Sequence, residues 1–448
     1  VSTVAFHTLG CKVNAYETEA IWQLFQRQGY EKVDFDRKAD VYVINTCTVT
    51  NTGDRKSRQM IRRAIRKNPD AVVAVTGCYA QTSPGEILQI PGVDVVVGTQ
   101  GREKLLDYIE EHRRTRQPVN AVKNIMKTRE FEELDVPAFS ERTRASLKIQ
   151  EGCNNFCTFC IIPWARGLLR SRKPESVLKQ ARQLVDAGYK EIVLTGIHTG
   201  GYGEDFEDYK LADLLWDLDK VEGLQRIRIS SIEASQIDDR VIEVLNHSDK
   251  MCRHLHIPLQ AGDDAVLKRM RRRYTVDEYR RKIEHIHQAM PGVAITTDVI
   301  VGFPGETEEQ FENGYRLIEE LGFSELHVFP YSTRTGTPAA RMKDQVPADV
   351  KQERVAKLIQ LSDRLALEYA SNYVGEVLEV IPERPYKEDP DSGLYMGYSD
   401  NYLQVVFPGN EDLVGKVCRV RLDEPGSKTC RGTFVRTLDR VPRPYKAG

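Results

Sequence analysis

The chain has no apolar run long enough to cross a bilayer, and the stretch from Val1 to Leu9 has neither the charged nor the apolar region of a secretion signal. A cytoplasmic protein with no membrane partner is expected. It also has no excess of one charge, since 64 Lys and Arg stand against 66 Asp and Glu. That balance excludes a uniformly basic nucleic-acid coat while leaving room for local basic faces. Low-complexity tracts and repeats longer than a single βα unit are absent as well. Cysteine is present, but nine of them is an odd number in a large chain of 448 residues. Disulfide frameworks belong to small secreted domains, so metal binding or catalysis is the better expectation.

A hydrophobic content of 40% is ample for real cores, and the length suggests about three domains. Strand-like and helical runs alternate from the start: Thr3 to Thr8, then Asn14 to Gln28; Asp40 to Asn45, then Asp54 to Lys67; Ala71 to Thr76, then Thr82 to Leu88; Val93 to Val97, then Arg102 to Glu111. This rhythm predicts a parallel α/β sheet domain over 1–118. Residues 119–142 are charged and proline-containing, as a linker would be.

A second alternating series occupies 143–372. Its strand candidates are Ser146 to Gln150, Glu191 to Thr195, Arg226 to Ser230, His254 to Pro258, Ala294 to Val301 and Ser324 to Phe329. Six strands with helices between them predict a partial (β/α)6 barrel. A helical stretch from Pro347 to about Tyr369 leads into 373–441, where short runs such as Val377 to Ile381, Leu403 to Phe407, Val417 to Leu422 and Gly432 to Thr437 predict a small antiparallel β-barrel.

Cys153, Cys157 and Cys160 fall within eight residues just after the first barrel strand, at the strand ends where barrel active sites form. Three thiolates from one loop suit a [4Fe-4S] cluster with one iron left open to a substrate. Closed zinc sites need four ligands, and the flanking residues offer no further Cys or His. The N-terminal cysteines are far apart in sequence, yet Cys11, Cys47 and Cys78 each follow a strand, as Gly10-Cys11, Thr46-Cys47 and Gly77-Cys78. Strand ends of an open α/β sheet converge on one edge, so these thiols predict a second three-cysteine cluster. Taken singly, each would be a small buried apolar residue. Cys252, Cys418 and Cys430 have no such pattern and read as structural.

The Cys-x3-Cys-x2-Cys loop after the first strand of a six-stranded barrel resembles the radical S-adenosylmethionine superfamily. The pairing with a cysteine-bearing sheet domain and a terminal β-barrel looks like its methylthiotransferase branch, across essentially the whole chain. The likeness is carried by Thr8-Leu9-Gly10-Cys11-Lys12-Val13-Asn14, Asn45-Thr46-Cys47, Gly77-Cys78-Tyr79, and Ile162-Pro163-Trp164-Ala165-Arg166-Gly167 through Arg170-Ser171-Arg172. The Cys11-Lys12-Val13-Asn14 and Trp164-Ala165-Arg166-Gly167 forms are most similar to bacterial enzymes acting on N6-threonylcarbamoyladenosine in tRNA. The siblings acting on isopentenyladenosine or on a ribosomal-protein aspartate carry other residues there.

The resemblance implies two [4Fe-4S] clusters and S-adenosylmethionine as cofactors, an auxiliary cluster on Cys11, Cys47 and Cys78, and a radical-generating cluster on Cys153, Cys157 and Cys160. It also implies a TRAM-like RNA-binding barrel, a tRNA anticodon loop as substrate, an electron donor such as flavodoxin or ferredoxin, and a sulfur source. Cofactor contacts are expected at other strand ends: Thr195 and Gly196, Ser231 and Glu233, Gln260, and Gly302 with Gly305. The chain has Leu194-Thr195-Gly196-Ile197-His198 where the superfamily often has Gly-Gly-Glu. His198, His254 and His256 receive no role.

Basic runs at Arg55 to Lys67 and Lys268 to Arg273 could grip phosphates or simply face solvent. From Lys416 to Gly448 nine basic residues oppose three acidic ones, a credible RNA face on a small barrel. A reading from another class is a non-catalytic iron–sulfur RNA-binding protein.

Overall fold

The computed structural model describes residues 2–134, 136–139 and 143–438. Parts of the expected linker, at 135 and 140–142, and the end of the basic tail, from 439, lie outside the described residues. The chain packs as two compact units, one of Val1–Phe139, Lys148–Arg172 and Ser332–Arg341, the other of Ser140–Leu147, Lys173–Tyr331 and Met342–Gly448. The cysteine loop at 153–160 thus belongs to the unit that contains the N-terminal sheet.

That sheet has six parallel strands, β1 (Thr3–Thr8), β2 (Glu31–Val33), β3 (Val41–Thr46), β4 (Val72–Gly77), β5 (Val95–Val96) and β6 (Val119–Asn120), in the order β2-β1-β3-β4-β5-β6. Helices α1 (Lys12–Arg27), α2 (Asn51–Lys67), α3 (Cys78–Thr82), α4 (Pro84–Leu88) and α5 (Leu105–Thr115) connect them. Every residue of β3 and β4 is buried, as expected for strands covered on both faces. Two separate apolar layers build the core, one around Tyr42, Ile44, Ile61 and Val75, the other around Ile21, Phe25, Val43 and Leu105. The expected linker opens with β6, which adds an edge strand to the sheet by pairing with β5.

The chain continues through β7 (Ala145–Lys148), β8 (Gln150–Glu151), α6 (Ile162–Arg166) and β9 (Arg170–Ser171). β8 and β9 form an antiparallel pair on either side of the cysteine loop. Then α7 (Pro174–Asp186), β10 (Glu191–Thr195), α8 (Leu211–Asp219), β11 (Arg226–Ile229), α9 (Asp239–His247) and β12 (His254–His256) follow. After them come α10 (Asp264–Arg269), α11 (Val276–Ala289), β13 (Ala294–Val301), α12 (Glu308–Leu321), β14 (Glu325–Pro330) and α13 (Ala348–Ser371). The six barrel strands form two three-stranded sheets, β11-β10-β7 and β12-β13-β14, joined by a parallel bridge from Ile227 to Met251. Local signals fix the helices: Thr275 with Glu278 and Thr307 with Gln310 make capping boxes, and Gly322 ends α12 in the left-handed conformation.

The last five strands are β15 (Val377–Pro385), β16 (Leu394–Ser399), β17 (Gln404–Pro408), β18 (Cys418–Glu424) and β19 (Cys430–Thr437), and they close into a barrel. The pairing is antiparallel except between β17 and β19, which run parallel. The fully antiparallel arrangement expected from sequence is corrected at that one seam, where a parallel pair completes the closure. Its core holds Val380, Val405, Phe407 and Val420 together with Cys418 and Cys430, so these two cysteines are structural, and Cys252 is buried too.

An ion cluster within the second unit joins this barrel to the β10–β11 edge. Buried Glu191 accepts from Arg228 Nε at 2.7 Å, and Arg228 Nη2 and Nη1 reach the carbonyls of Ser399 and Asp400 at 3.0 and 3.1 Å. Arg226 and Arg144 complete the ring of cations around the same carboxylate.

Candidate active site

In a sheet of order 2-1-3-4-5 the connections change direction between β1 and β3, and a crevice opens at the C-terminal ends of those strands. Cys11 caps α1 directly after β1, Cys47 follows β3, and Cys78 is the first residue of α3 after β4. A Cβ on Gly10, whose φ is +98°, would come within 3.1 Å of Cys47 Sγ. Glycine is therefore required for the β1 turn to lie against the second thiol. Burial pushes Cys78 up to about 12; the adjacent Arg166 works against this, while charge on Cys11 and Cys47 adds to the rise. Burial and Cys11 raise Cys47 likewise. The three thiols are thus electrostatic neighbours that need a cation to persist as thiolates.

Arg166 is completely buried, and its Nε donates to Cys78 Sγ at 3.1 Å. Its other nitrogens bond Asn14 Oδ1, Glu17 and, at 3.2 Å, Glu151 Oε2. Lys148 reaches Glu17 Oε1 at 2.8 Å and also bonds Glu151, while Arg102 pairs with Glu17 and Glu132. Burial alone would raise the Glu17 pKa, but Arg102, Arg166 and Lys148 overcome it and hold the carboxyl well below its ordinary range. Three buried cations facing three buried carboxylates make a closed network, which avoids the cost of an uncompensated buried charge.

The second cysteine loop leaves β8 through Gly152, whose φ is +73° and whose Cβ would lie 2.0 Å from the Leu168 carbonyl. The Cys153 N–H donates to Gly167 O at 3.1 Å, and Asn154 Oδ1 accepts from Leu169 N at 3.0 Å. Phe156 takes a left-handed φ of +49°, and the Cys160 N–H donates to Cys157 O at 3.0 Å. The Asn155 N–H faces Cys153 Sγ at 3.5 Å. Trp164 stands edge-on to Phe156 and is 40% exposed. Beside it an open polar cleft of about 640 Å³ is lined by Asp54, Arg58, Glu86, Trp164 and Arg334.

None of the six cysteines is in a disulfide. Each triad offers thiols alone, and such all-thiol donor sets fit an iron–sulfur cluster.

The other expected contacts lie in the second unit. Thr195 Oγ1 donates to Val193 O, Glu233 is bound by Arg272, and Gly302 packs where a Cβ would meet the Lys351 side chain at 2.1 Å. Gly196 is half-buried at the end of β10 and Gly305 has a φ of +78°. Ser231 and Gln260 are half-buried, and their side chains have no polar partner among the described residues. Gln260 holds φ +67° through backbone bonds to Asp298 and Ile300.

Residue patterning did not disclose Glu17, Lys148, Glu151 or the buried role of Arg166. Two hints were available. Asn14 and Glu17 are polar at i and i+3 on the inner side of α1, and Lys148 and Glu151 interrupt strands that should be apolar. The basic residues of α2 divide: Arg58 bonds Tyr79 while Arg55, Lys56, Arg62 and Lys67 face solvent. Of the Lys268–Arg273 run, Arg272 is taken by Glu233.

Two family models match, the Uncharacterized protein family UPF0004 over residues 3–98 and the Radical SAM superfamily over 147–318. The Bacillus subtilis threonylcarbamoyladenosine tRNA methylthiotransferase MtaB is 68% identical over 440 residues, covering 98% of each chain. MtaB of Aquifex aeolicus is 40% identical, covering 93% of this chain and 99% of that one. The tRNA-2-methylthio-N(6)-dimethylallyladenosine synthase of Carboxydothermus hydrogenoformans is 38% identical, over 93% and 96%. Among solved structures, the radical S-adenosylmethionine methyltransferase TsrM of Kitasatospora setae shares the fold, with a TM-score of 0.55 at 16% identity over 76% of this chain and 75% of that one. The cysteine geometry and full-length relatives agree: the chain belongs to the radical S-adenosylmethionine methylthiotransferase family.

Proposed function

We propose that the enzyme adds a methylthio group to C2 of N6-threonylcarbamoyladenosine next to the anticodon of tRNA, using two iron–sulfur clusters held by two cysteine triads. Its family uses S-adenosylmethionine and a [4Fe-4S] cluster. The substrate reading rests on 68% identity to the Bacillus subtilis MtaB against 38% and 35% to two tRNA-2-methylthio-N(6)-dimethylallyladenosine synthases.

The residues that would hold the radical cluster are Cys153, Cys157 and Cys160; Cys11, Cys47 and Cys78 would hold the auxiliary one. When bound, the first would supply the single electron that splits S-adenosylmethionine into methionine and a 5′-deoxyadenosyl radical, and the second would supply the sulfur to be transferred. The division rests on the Cys-x3-Cys-x2-Cys spacing of the first triad, and the observation that supports pairing the two is the buried bridge from Cys78 through Arg166 to Glu151, two residues before Cys153, in the unit that carries both.

Ser231, Gln260 and the backbone at Gly196 are the strongest cofactor contacts, with Thr195, Glu233 and Gly302 shaping the strand ends around them. The domain reading is a cluster-bearing sheet at 1–118, a barrel at 143–372 and an RNA-binding barrel at 373–441. A flavodoxin or ferredoxin would deliver electrons, and a separate donor would replace the sulfur. No helix of the described residues is long and apolar enough to cross a membrane.

Reconstituted enzyme with dithionite and S-adenosylmethionine tests the substrate. Methylthiolation of an anticodon stem-loop carrying threonylcarbamoyladenosine, and little on one carrying isopentenyladenosine, is expected. The reverse preference would move the enzyme to the sibling branch.

A further inference from the structure

The β12-β13-β14 sheet of the second unit carries a set of potential ligands outside the two cysteine triads. His256 on β12, Asp298 on β13 and His327 on β14 bring one donor atom each to within 4.8 Å of one another. Strand register builds the set. His256 pairs with Thr296, and Asp298, two residues on and so on the same face, pairs with His327. The opposite face is committed to packing, since Thr297 bonds the Ile257 carbonyl and both Thr297 and Leu326 are buried.

One of the two tautomers open to His256 calls for a cation. His256 Nδ1 lies 2.9 Å from Thr296 Oγ1, which also meets His254 Nε2 at 3.0 Å. When the threonine hydroxyl donates to His254, it accepts from His256 Nδ1–H and leaves the Nε2 lone pair facing Asp298 Oδ2 at 3.3 Å. Two acceptors then confront each other, an arrangement that a cation resolves. Metal-binding imidazoles characteristically donate their second N–H to such a partner, fixing ring and tautomer. Among the described residues Asp298 has no Lys or Arg partner, and the His327 ring lies against that of His256 with centroids 5.4 Å apart. Solvent reaches the site, for the Asp298 side chain is 29% exposed and Phe329, two residues beyond His327, is 50% exposed.

The geometry points to a binding site for one divalent transition-metal ion, held by His256, Asp298 and His327 with its remaining positions open to solvent. Two imidazoles and one carboxylate on one side of an ion match the donor set of open iron(II) and zinc sites. Thr296 is the outer partner that orients His256.

The test is titration of the cluster-loaded enzyme with Mn2+, following the loss of the free-ion EPR signal. Mn2+ is the weakest binder of the first-row series, and filled iron–sulfur sites do not compete for it. One Mn2+ per chain, bound below about 1 mM, is expected, with affinity at least tenfold weaker in both Asp298→Asn and His327→Ala. Far-UV circular dichroism and iron content, unchanged in these variants, establish that they fold. Absence of such a site in the wild type, or equal binding in a folded Asp298→Asn variant, overturns the proposal and leaves His256 and Asp298 as a hydrogen-bonded pair only.

Discussion

Arg166 Nε donates to Cys78 Sγ at 3.1 Å while the same guanidinium bonds Asn14, Glu17 and Glu151. A residue six positions beyond Cys160 thereby supports a thiol at the N-terminal sheet edge. Arg166→Ala would leave Glu17 and Glu151 short of a buried counter-charge, a loss of about 3–5 kcal/mol. Denaturant unfolding should register that drop, and reconstituted iron should fall toward half the wild-type content. Arg166→Lys keeps charge without the planar fork and should recover more stability than iron.

The two triads should separate under mutation. Cys157→Ala is expected to abolish 5′-deoxyadenosine formation, whereas Cys47→Ala should preserve it and stop methylthio transfer. Chromatography of both products from one reaction checks this. Deoxyadenosine from the Cys157 variant would refute the assignment.

Stability in acid should track Glu191. Burial would raise its carboxyl, but Arg228, Arg144 and Arg226 hold it at about 2, below the ordinary 4.5. A carboxyl depressed in the folded state stabilises fully above its unfolded pKa and loses that contribution as pH falls toward the folded value. The window is therefore pH 4.5 down to about 2, and the contribution is roughly 3 kcal/mol from the size of the shift. Glu191→Gln should flatten unfolding free energy across that window and loosen the C-terminal barrel, as hydrogen exchange at Ser399 and Asp400 would show.

Much of this architecture was legible in the sequence. Thr3–Thr8 matches a strand end for end, and the cysteines declared themselves by sitting where strands stop. The edge strands Glu31–Val33 and Val119–Asn120 and the barrel strand Leu394–Ser399 escaped, the first two because short, charged or solvent-facing segments carry little alternation. The buried network escaped for a different reason. Charged side chains read singly are assigned to the surface, and only the fold shows Lys148 and Arg166 each meeting Glu17.

RNA binding should depend on the exposed cations of β18 and β19. Arg431 and Arg436 are solvent-facing, and Arg436 lies opposite Arg419 across the strand pair. Arg431→Glu with Arg436→Glu should weaken tRNA binding about tenfold or more and reduce the salt dependence by roughly two counterions. Deoxyadenosine formation without tRNA should not change, and a filter-binding salt series measures the slope.

The most direct measurement is nucleoside mass spectrometry of bulk tRNA from a host lacking the modification, with and without this gene. A methylthio increment on threonylcarbamoyladenosine is the expected result. An increment on isopentenyladenosine alone, or none from an iron-loaded enzyme, would contradict the substrate assignment.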